Sequence, residues 1–253
     1  MEPALDSNRR ASGLVRLRPT PEATTRLLIL PHAGSGVGRF HALGDLLPRS
    51  IEPWAVCLPG RERRLAEPPL DSMEAVVEEV RALVDVQSRD PGWVLFGHSM
   101  GGLVAWELAR HLEPRLLAVS GARSPDDPVV DTELVTLDDR GLMSEMRTRF
   151  GGFPPEVDDY PELIELSLDT LRADLVALAA YRAESVEPLD IPIVAFRGAS
   201  DTVCSRGEVG RWDRCTNRAF RMREFPGGHH YLFDHPHDVV AALRADIRSL
   251  SDG

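Results

Sequence analysis

The chain has 253 residues, a formal net charge of −11, and 43% hydrophobic against 27% charged residues. That length is enough to bury one sizeable core, and the acidic balance argues against a nucleic-acid-binding protein, which needs a basic face. All 29 basic residues are arginine, which removes lysine Schiff-base chemistry and the lysine of a phosphate loop.

The three cysteines, Cys57, Cys204 and Cys215, match no zinc-site spacing. The N-terminal stretch MEPALDSNRRASG lacks an apolar signal core. No apolar run reaches the roughly 18 residues that a membrane-spanning helix needs. These features predict a soluble cytoplasmic protein with reduced thiols and no metal.

Residues 1 to 12 read as a disordered lead-in. Beyond them, short apolar runs alternate with amphipathic stretches. Residues 26–31 (RLLILP) read as a buried strand that opens into a glycine-rich loop, HAGSGVG. Residues 40–47 read as a helix and 53–58 (PWAVCL) as a second strand. Asp71, with Glu74 three residues on, has the pattern of a helix capping box. The helix that follows spaces Val76, Val77, Val80, Leu83 and Val84 along one face.

Residues 93–96 read as a third strand, running directly into GHSMGG, and 103–112 as a helix. Strands follow at 115–120, 191–196 and 219–225, and a helix at 239–250 closes the chain. This rhythm predicts a single domain over 1–253: a mostly parallel central sheet with helices on both faces. Residues 138–184 break the rhythm, with helices expected over 139–150, stopped by Gly151-Gly152, and over 161–182. Ile164, Leu168, Leu171, Leu175 and Leu178 make one stripe on the second. An insertion between strands of such a sheet emerges at its carboxyl edge, so this segment is expected to form a lid.

Gly97-His98-Ser99-Met100-Gly101 fits G-x-S-x-G, and it stands between a strand and a helix, the setting that a nucleophile elbow requires. A serine hydroxyl needs a base to become a nucleophile, and the base needs an orienting acid. In the α/β-hydrolase fold, which this elbow resembles, the chain order is serine, acid, histidine. Asp201 lies just past the fifth strand and His229 just past the sixth, after Gly227-Gly228. Asp126 and Asp127, past the fourth strand, are alternative acids; His230 is an alternative base, and His98, His235 and His237 are weaker ones. Two backbone amides are needed to hold an oxyanion. Met100, after the nucleophile and opening a helix, is one candidate. Ala33, in the glycine-rich loop, is the other; His32 is expected to support that loop from beneath.

Five segments together resemble a known family. They are LPHAGSG at 30–36, LPGRERR at 58–64, GHSMGGLVAWELAR at 97–110, FRGASDTVC at 196–204 and FPGGHHYL at 225–232. The family is that of the stand-alone type II thioesterases that accompany polyketide synthases and nonribosomal peptide synthetases. Two positions depart from its pattern: His230 stands where an aromatic residue is usual, and Ala199-Ser200 where a second acid is frequent. The resemblance implies a cofactor-free hydrolase with Ser99, Asp201 and His229 as its triad. It would remove stalled or aberrant acyl groups from the phosphopantetheine arms of acyl or peptidyl carrier proteins, acting as a monomer. A carboxylesterase and a product-releasing thioesterase are the alternatives. Carrier proteins are acidic, so Arg61, Arg63 and Arg64 are expected to offer a local positive docking patch.

Overall fold

The computed structural model describes residues 13–85, 87, 92–127, 132–150 and 161–250. The predicted strands form, and they pair as expected. Strands β1 (Leu14–Arg16), β2 (Thr25–Leu30), β3 (Ile51–Val56), β4 (Trp93–His98), β5 (Leu116–Ser120), β6 (Ile193–Gly198) and β7 (Phe220–Phe225) make one sheet. Its order is β1-β3-β2-β4-β5-β6-β7, and only the β1–β3 pairing is antiparallel. Strands β4, β5 and β6 are buried along their whole length, as continuous apolar runs covered on both faces must be.

Helices cover the two faces. Helices α2 (Met73–Asp85) and α3 (Met100–Leu112) pack on one side, where Val76, Val80, Leu83, Val104 and Leu108 join Leu28, Leu95 and Leu117. Helices α1 (His41–Leu46) and α7 (Pro236–Ser249) pack on the other, where Leu43, Val239 and Leu243 meet Leu27, Ile29 and Phe96. The chain leaves β2 toward β3, then returns past β2 to form β4. This reversal opens a crevice beyond the carboxyl ends of β2 and β4, where ligands bind in such sheets.

Three expectations need correction. Strand β1 was not foreseen: three residues are too few to display an alternation. Helix α2 is capped by Ser72, not Asp71; the Ser72 hydroxyl accepts a hydrogen bond from the Ala75 N–H at 3.2 Å. The helical insertion between β5 and β6 starts earlier than 138, with the short helix α4 (Thr132–Thr136). It continues with α5 (Asp139–Phe150) and α6 (Pro161–Ala180), the latter ending two residues before the expected 182. Gly151-Gly152, the expected stop of α5, lies outside the described residues. The insertion has a satellite core of its own, built from Leu134, Leu142, Leu168, Leu171 and Leu175. Among the described residues no helix is long and apolar enough to cross a membrane.

Candidate active site

The elbow is built by steric exclusion. Ser99 has φ 53° and ψ −118°, a conformation that a residue with a side chain rarely adopts. Its N–H donates to the Ser120 carbonyl at 2.8 Å, which ties the turn to β5. A Cβ on Gly97 would lie 2.0 Å from the Gly101 carbonyl oxygen, and one on Gly101 would lie 2.0 Å from that of Leu30. Positions 97 and 101, two residues to either side of Ser99, therefore admit only glycine. Gly102 brings α3 against β5, since a Cβ there would meet Ala122 Cβ at 2.6 Å.

The acid and the base meet at the same edge. His229 Nδ1 donates to Asp201 Oδ2 at 2.9 Å, and both side chains are buried. Asp201 Oδ1 accepts the Val203 and Cys204 amides at 2.8 and 3.2 Å, which holds its carboxylate in place. The two loops are sewn together: Ala199 and Ser200 N–H donate to the carbonyls of Phe225 and Gly227 at 2.7 and 2.9 Å. A Cβ on Gly198 would lie 2.1 Å from the Gly228 oxygen, so glycine permits that approach. His229 Nε2 is buried without a protein hydrogen-bond partner, and His229 and Ser99 line one cavity. His229 Nε2 makes no hydrogen bond to Ser99 Oγ in this structure; catalytic hydrogen bonds of this kind tighten when substrate binds.

The alternative acids are engaged elsewhere. Asp126 accepts the Ser124 hydroxyl at 2.5 Å, and Asp127 pairs with Arg211. Among the described residues Asp201, Cys204 and His229 form the one set of three groups close enough to hold a metal ion. Two of the three are already bonded to each other, and burial pushes the Cys204 thiol up to about 12, so it is a poor ligand at neutral pH. Cys57 and Cys215 are buried free thiols, also pushed up by burial, to about 11 and about 12.

Met100 and Ala33 both face the cavity, and the loops carrying them leave adjacent parallel strands, with Leu30 opposite Gly97. Among the described residues neither amide N–H donates to a protein acceptor. The cavity holds about 400 Å³. Leu103, Leu134, Met146, Phe150, Leu171, Leu175 and Leu178 make most of it apolar.

Two features escaped sequence reasoning. First, His32, His98, His229 and His230 converge into one cluster, with ring centroids 4.8 to 5.9 Å apart. His98 Nδ1 contacts the Ser120 carbonyl at 3.0 Å, and His32 Nδ1 the Ala33 carbonyl at 3.0 Å. His230 takes a ring position: it packs on His32 at 4.8 Å and near Phe233 at 5.9 Å. Burial lowers His32 to about 3 and His230 to about 2, and holds His98 well below its usual range. Second, the arginines expected to form a docking patch are mostly interior. Arg61 is 6% exposed and pairs with Asp174; Arg64 is 1% exposed and pairs with Glu67 and Glu79. Of the three only Arg63 faces solvent, so that patch does not exist as expected. Arg61 reads as a surface group because its buried partner, Asp174, lies far away in sequence.

A strand–elbow–helix crevice with a buried histidine–carboxylate pair defines an α/β-hydrolase. Residues 25–247 match the thioesterase domain family. Thioesterase PikA5 of Streptomyces venezuelae is 36% identical over 230 residues, covering 88% of this chain and 81% of that one. The gramicidin S biosynthesis protein GrsT of Aneurinibacillus migulanus is 31% identical, over 89% and 90% of the two chains. Among solved structures, the type II thioesterase BorB of the borrelidin biosynthetic cluster superposes with a TM-score of 0.85 at 29% identity, covering 92% and 97% of the two chains. RedJ, from the prodiginine pathway of Streptomyces coelicolor, gives 0.80 at 33% identity, over 89% and 86%. The chain belongs to the thioesterase family, with the type II members of polyketide and nonribosomal peptide pathways, and is a serine hydrolase.

Two outcomes follow from this geometry. Gly101→Ala forces a Cβ onto the Leu30 carbonyl, and urea denaturation should show a loss above about 3 kcal/mol. Gly207→Ala, with nothing within 4 Å of its Cβ, should instead leave stability unchanged or raise it by roughly 0.5 kcal/mol. The histidine cluster predicts a pH dependence. Unfolded, His32, His98 and His230 take up protons near 6.5; folded, they resist. The unfolded state binds more protons below 6.5, so the stability they confer is complete above that pH and declines as pH falls toward about 3. Urea midpoints at a series of pH values check both the direction and the window.

Proposed function

We propose that the protein hydrolyses acyl thioesters on phosphopantetheinyl carrier proteins through an acyl-Ser99 intermediate. The observation that carries this reading is the His229–Asp201 hydrogen bond at 2.9 Å beside a strained serine elbow, with His229 Nε2 left open. His229 Nε2 takes the Ser99 proton as Oγ attacks the thioester carbon. Asp201 holds the tautomer and stabilises the imidazolium that forms. The Met100 and Ala33 amides receive the oxyanion, a contribution of roughly 3 kcal/mol each. The carrier thiol leaves readily, because a thiolate is a stable anion at a pH near its pKa of about 8.5. The imidazolium gives its proton to the departing sulfur, so His229 is neutral again; it then deprotonates the water that attacks the acyl-serine, and returns that proton to Ser99 Oγ as the ester bond breaks and the acid leaves.

The apolar cavity of about 400 Å³ suits a short acyl group better than a finished chain. That favours an editing role over product release, and no step in it calls for a metal or an organic cofactor. The insertion acts as the lid over this slot. Biosynthesis proteins such as GrsT are relatives, which supports a carrier protein as partner, met by a monomer in the cytoplasm.

Hydrolysis of a panel of acyl carrier proteins tests the proposal. Ser99→Ala should lower turnover at least about 10³-fold, and Asp201→Asn by about 10²- to 10⁴-fold. Wild-type turnover in Ser99→Ala would remove the mechanism, and a preference for simple oxygen esters over carrier-bound thioesters would make the protein an esterase instead. Leu178→Trp narrows the slot from its half-buried rim. It should shift preference toward the shortest acyl groups by roughly 10-fold or more, read as the ratio of kcat/KM for two- and six-carbon substrates.

A further inference from the structure

The loop that carries Ala33 is clamped by charges that no step of the chemistry uses. Asp174, on α6, is fully buried. Its Oδ1 accepts Arg61 Nη2 at 2.9 Å, and its Oδ2 accepts Arg61 Nη1 at 2.8 Å and the Gly34 N–H at 2.7 Å. Arg61 Nη1 also donates to the Ser35 carbonyl at 3.2 Å. Gly34 has φ 72°, and Leu171, on the same helix, lies against it: a Cβ there would meet Leu171 Cβ at 3.3 Å.

A second grip comes from Glu62, itself at φ 46°. Its Oε1 accepts the Gly38 N–H at 2.8 Å, and it fills the space where a Cβ on Gly36 would stand. Thr170 adds a hydrogen bond to the Gly60 carbonyl at 2.8 Å. The peptide between residues 33 and 34 is thus held at both ends, its oxygen by His32 Nδ1 at 3.0 Å and its nitrogen by Asp174. The Ala33 N–H belongs to the preceding peptide, whose His32 carbonyl accepts the Ser35 N–H at 3.0 Å; with both peptide planes held, the direction of the Ala33 N–H is fixed.

We propose that Arg61 and Asp174 are positioning residues that aim the Ala33 amide at the oxyanion, making helix α6 of the insertion part of the oxyanion hole. This rests on the acyl-serine reading above. A buried ion pair is seldom a source of net stability, because desolvating both charges offsets their attraction. A bidentate pair that also reaches two backbone groups of a reactive loop is therefore better explained by orientation than by stability. Substrate never touches either side chain in this scheme; their effect passes through backbone geometry.

The test separates orientation from folding. In the double variant Arg61→Met/Asp174→Leu, apolar groups of similar volume replace the pair, a change that is often neutral for stability. Active sites are counted by labelling Ser99 with a fluorophosphonate, so kcat is expressed per competent molecule. The expected result is a kcat lowered at least about tenfold, KM within about twofold, and an unchanged pH profile, since the His229–Asp201 pair is intact. Arg61→Lys keeps a charge opposite Asp174 but cannot span both carboxylate oxygens and the Ser35 carbonyl. It should give an intermediate loss of kcat, and it decides the matter if the double variant does not fold. Wild-type kcat per labelled site in the folded variants, or a lower melting temperature as their sole effect, would overturn the inference. If Ser99→Ala is dead while these variants are fully active, only the positioning role fails. If Ser99→Ala remains active, the underlying mechanism fails first.

Discussion

The strained backbone of Ser99 is the constraint on which the site depends. A residue other than glycine at φ 53° costs on the order of 1–3 kcal/mol, and the surrounding structure must enforce it. Here enforcement is steric and local. The chain must leave β4 and enter α3 within one residue, pressed against β2, and only missing Cβ atoms leave room. The reward is a hydroxyl thrust above the sheet with the first amide of a helix beside it. Once that turn is set, β2 and β4 place the glycine-rich loop next to it, while the loops after β6 and β7 carry Asp201 and His229 to the same edge.

The second organising element is the burial of charge and potential charge around this turn. Four imidazoles, one guanidinium and two carboxylates lie within the shell formed by the loops after β2, β3, β4, β6 and β7 and by helix α6. Five of them are anchored by backbone groups: Asp201 by the amides of Val203 and Cys204, Asp174 by Gly34, and His98, His32 and Arg61 by carbonyls. Fixed polar groups of this kind need no reorganisation when charge develops on a reacting atom. The arrangement thus suits a reaction that builds an anion and a cation a few ångströms apart.

Much of this was legible in the sequence. Buried parallel strands announce themselves as apolar runs, and the glycines of the elbow and the order of Ser99, Asp201 and His229 follow from a small set of topological rules. Residues that act through partners distant in sequence were not legible. Arg61 reads as a surface charge until Asp174, 113 residues away, is seen to neutralise it. His230 reads as a spare base until His32 is found stacked on it. The capping residue of α2 was misplaced by one, because Asp71 and Ser72 are both good caps and only geometry chooses between them. Strand β1 contributes three residues and takes its stability from β3 and from Arg16 lying over Trp54 at 4.4 Å, neither of which is a local signal.

Leu171 and Leu175 have two occupations: they wall the cavity beside Ser99 and they are the cement of the satellite core that holds the inserted helices together. On the proposed reading, substrate range is therefore not a separate dial. Any widening of the cavity at these positions loosens the packing of the inserted helices, so variants with new acyl preferences would have to repack Leu134, Leu142 or Leu168 at the same time. Diversification at this site would proceed through sets of compensating changes rather than through single substitutions.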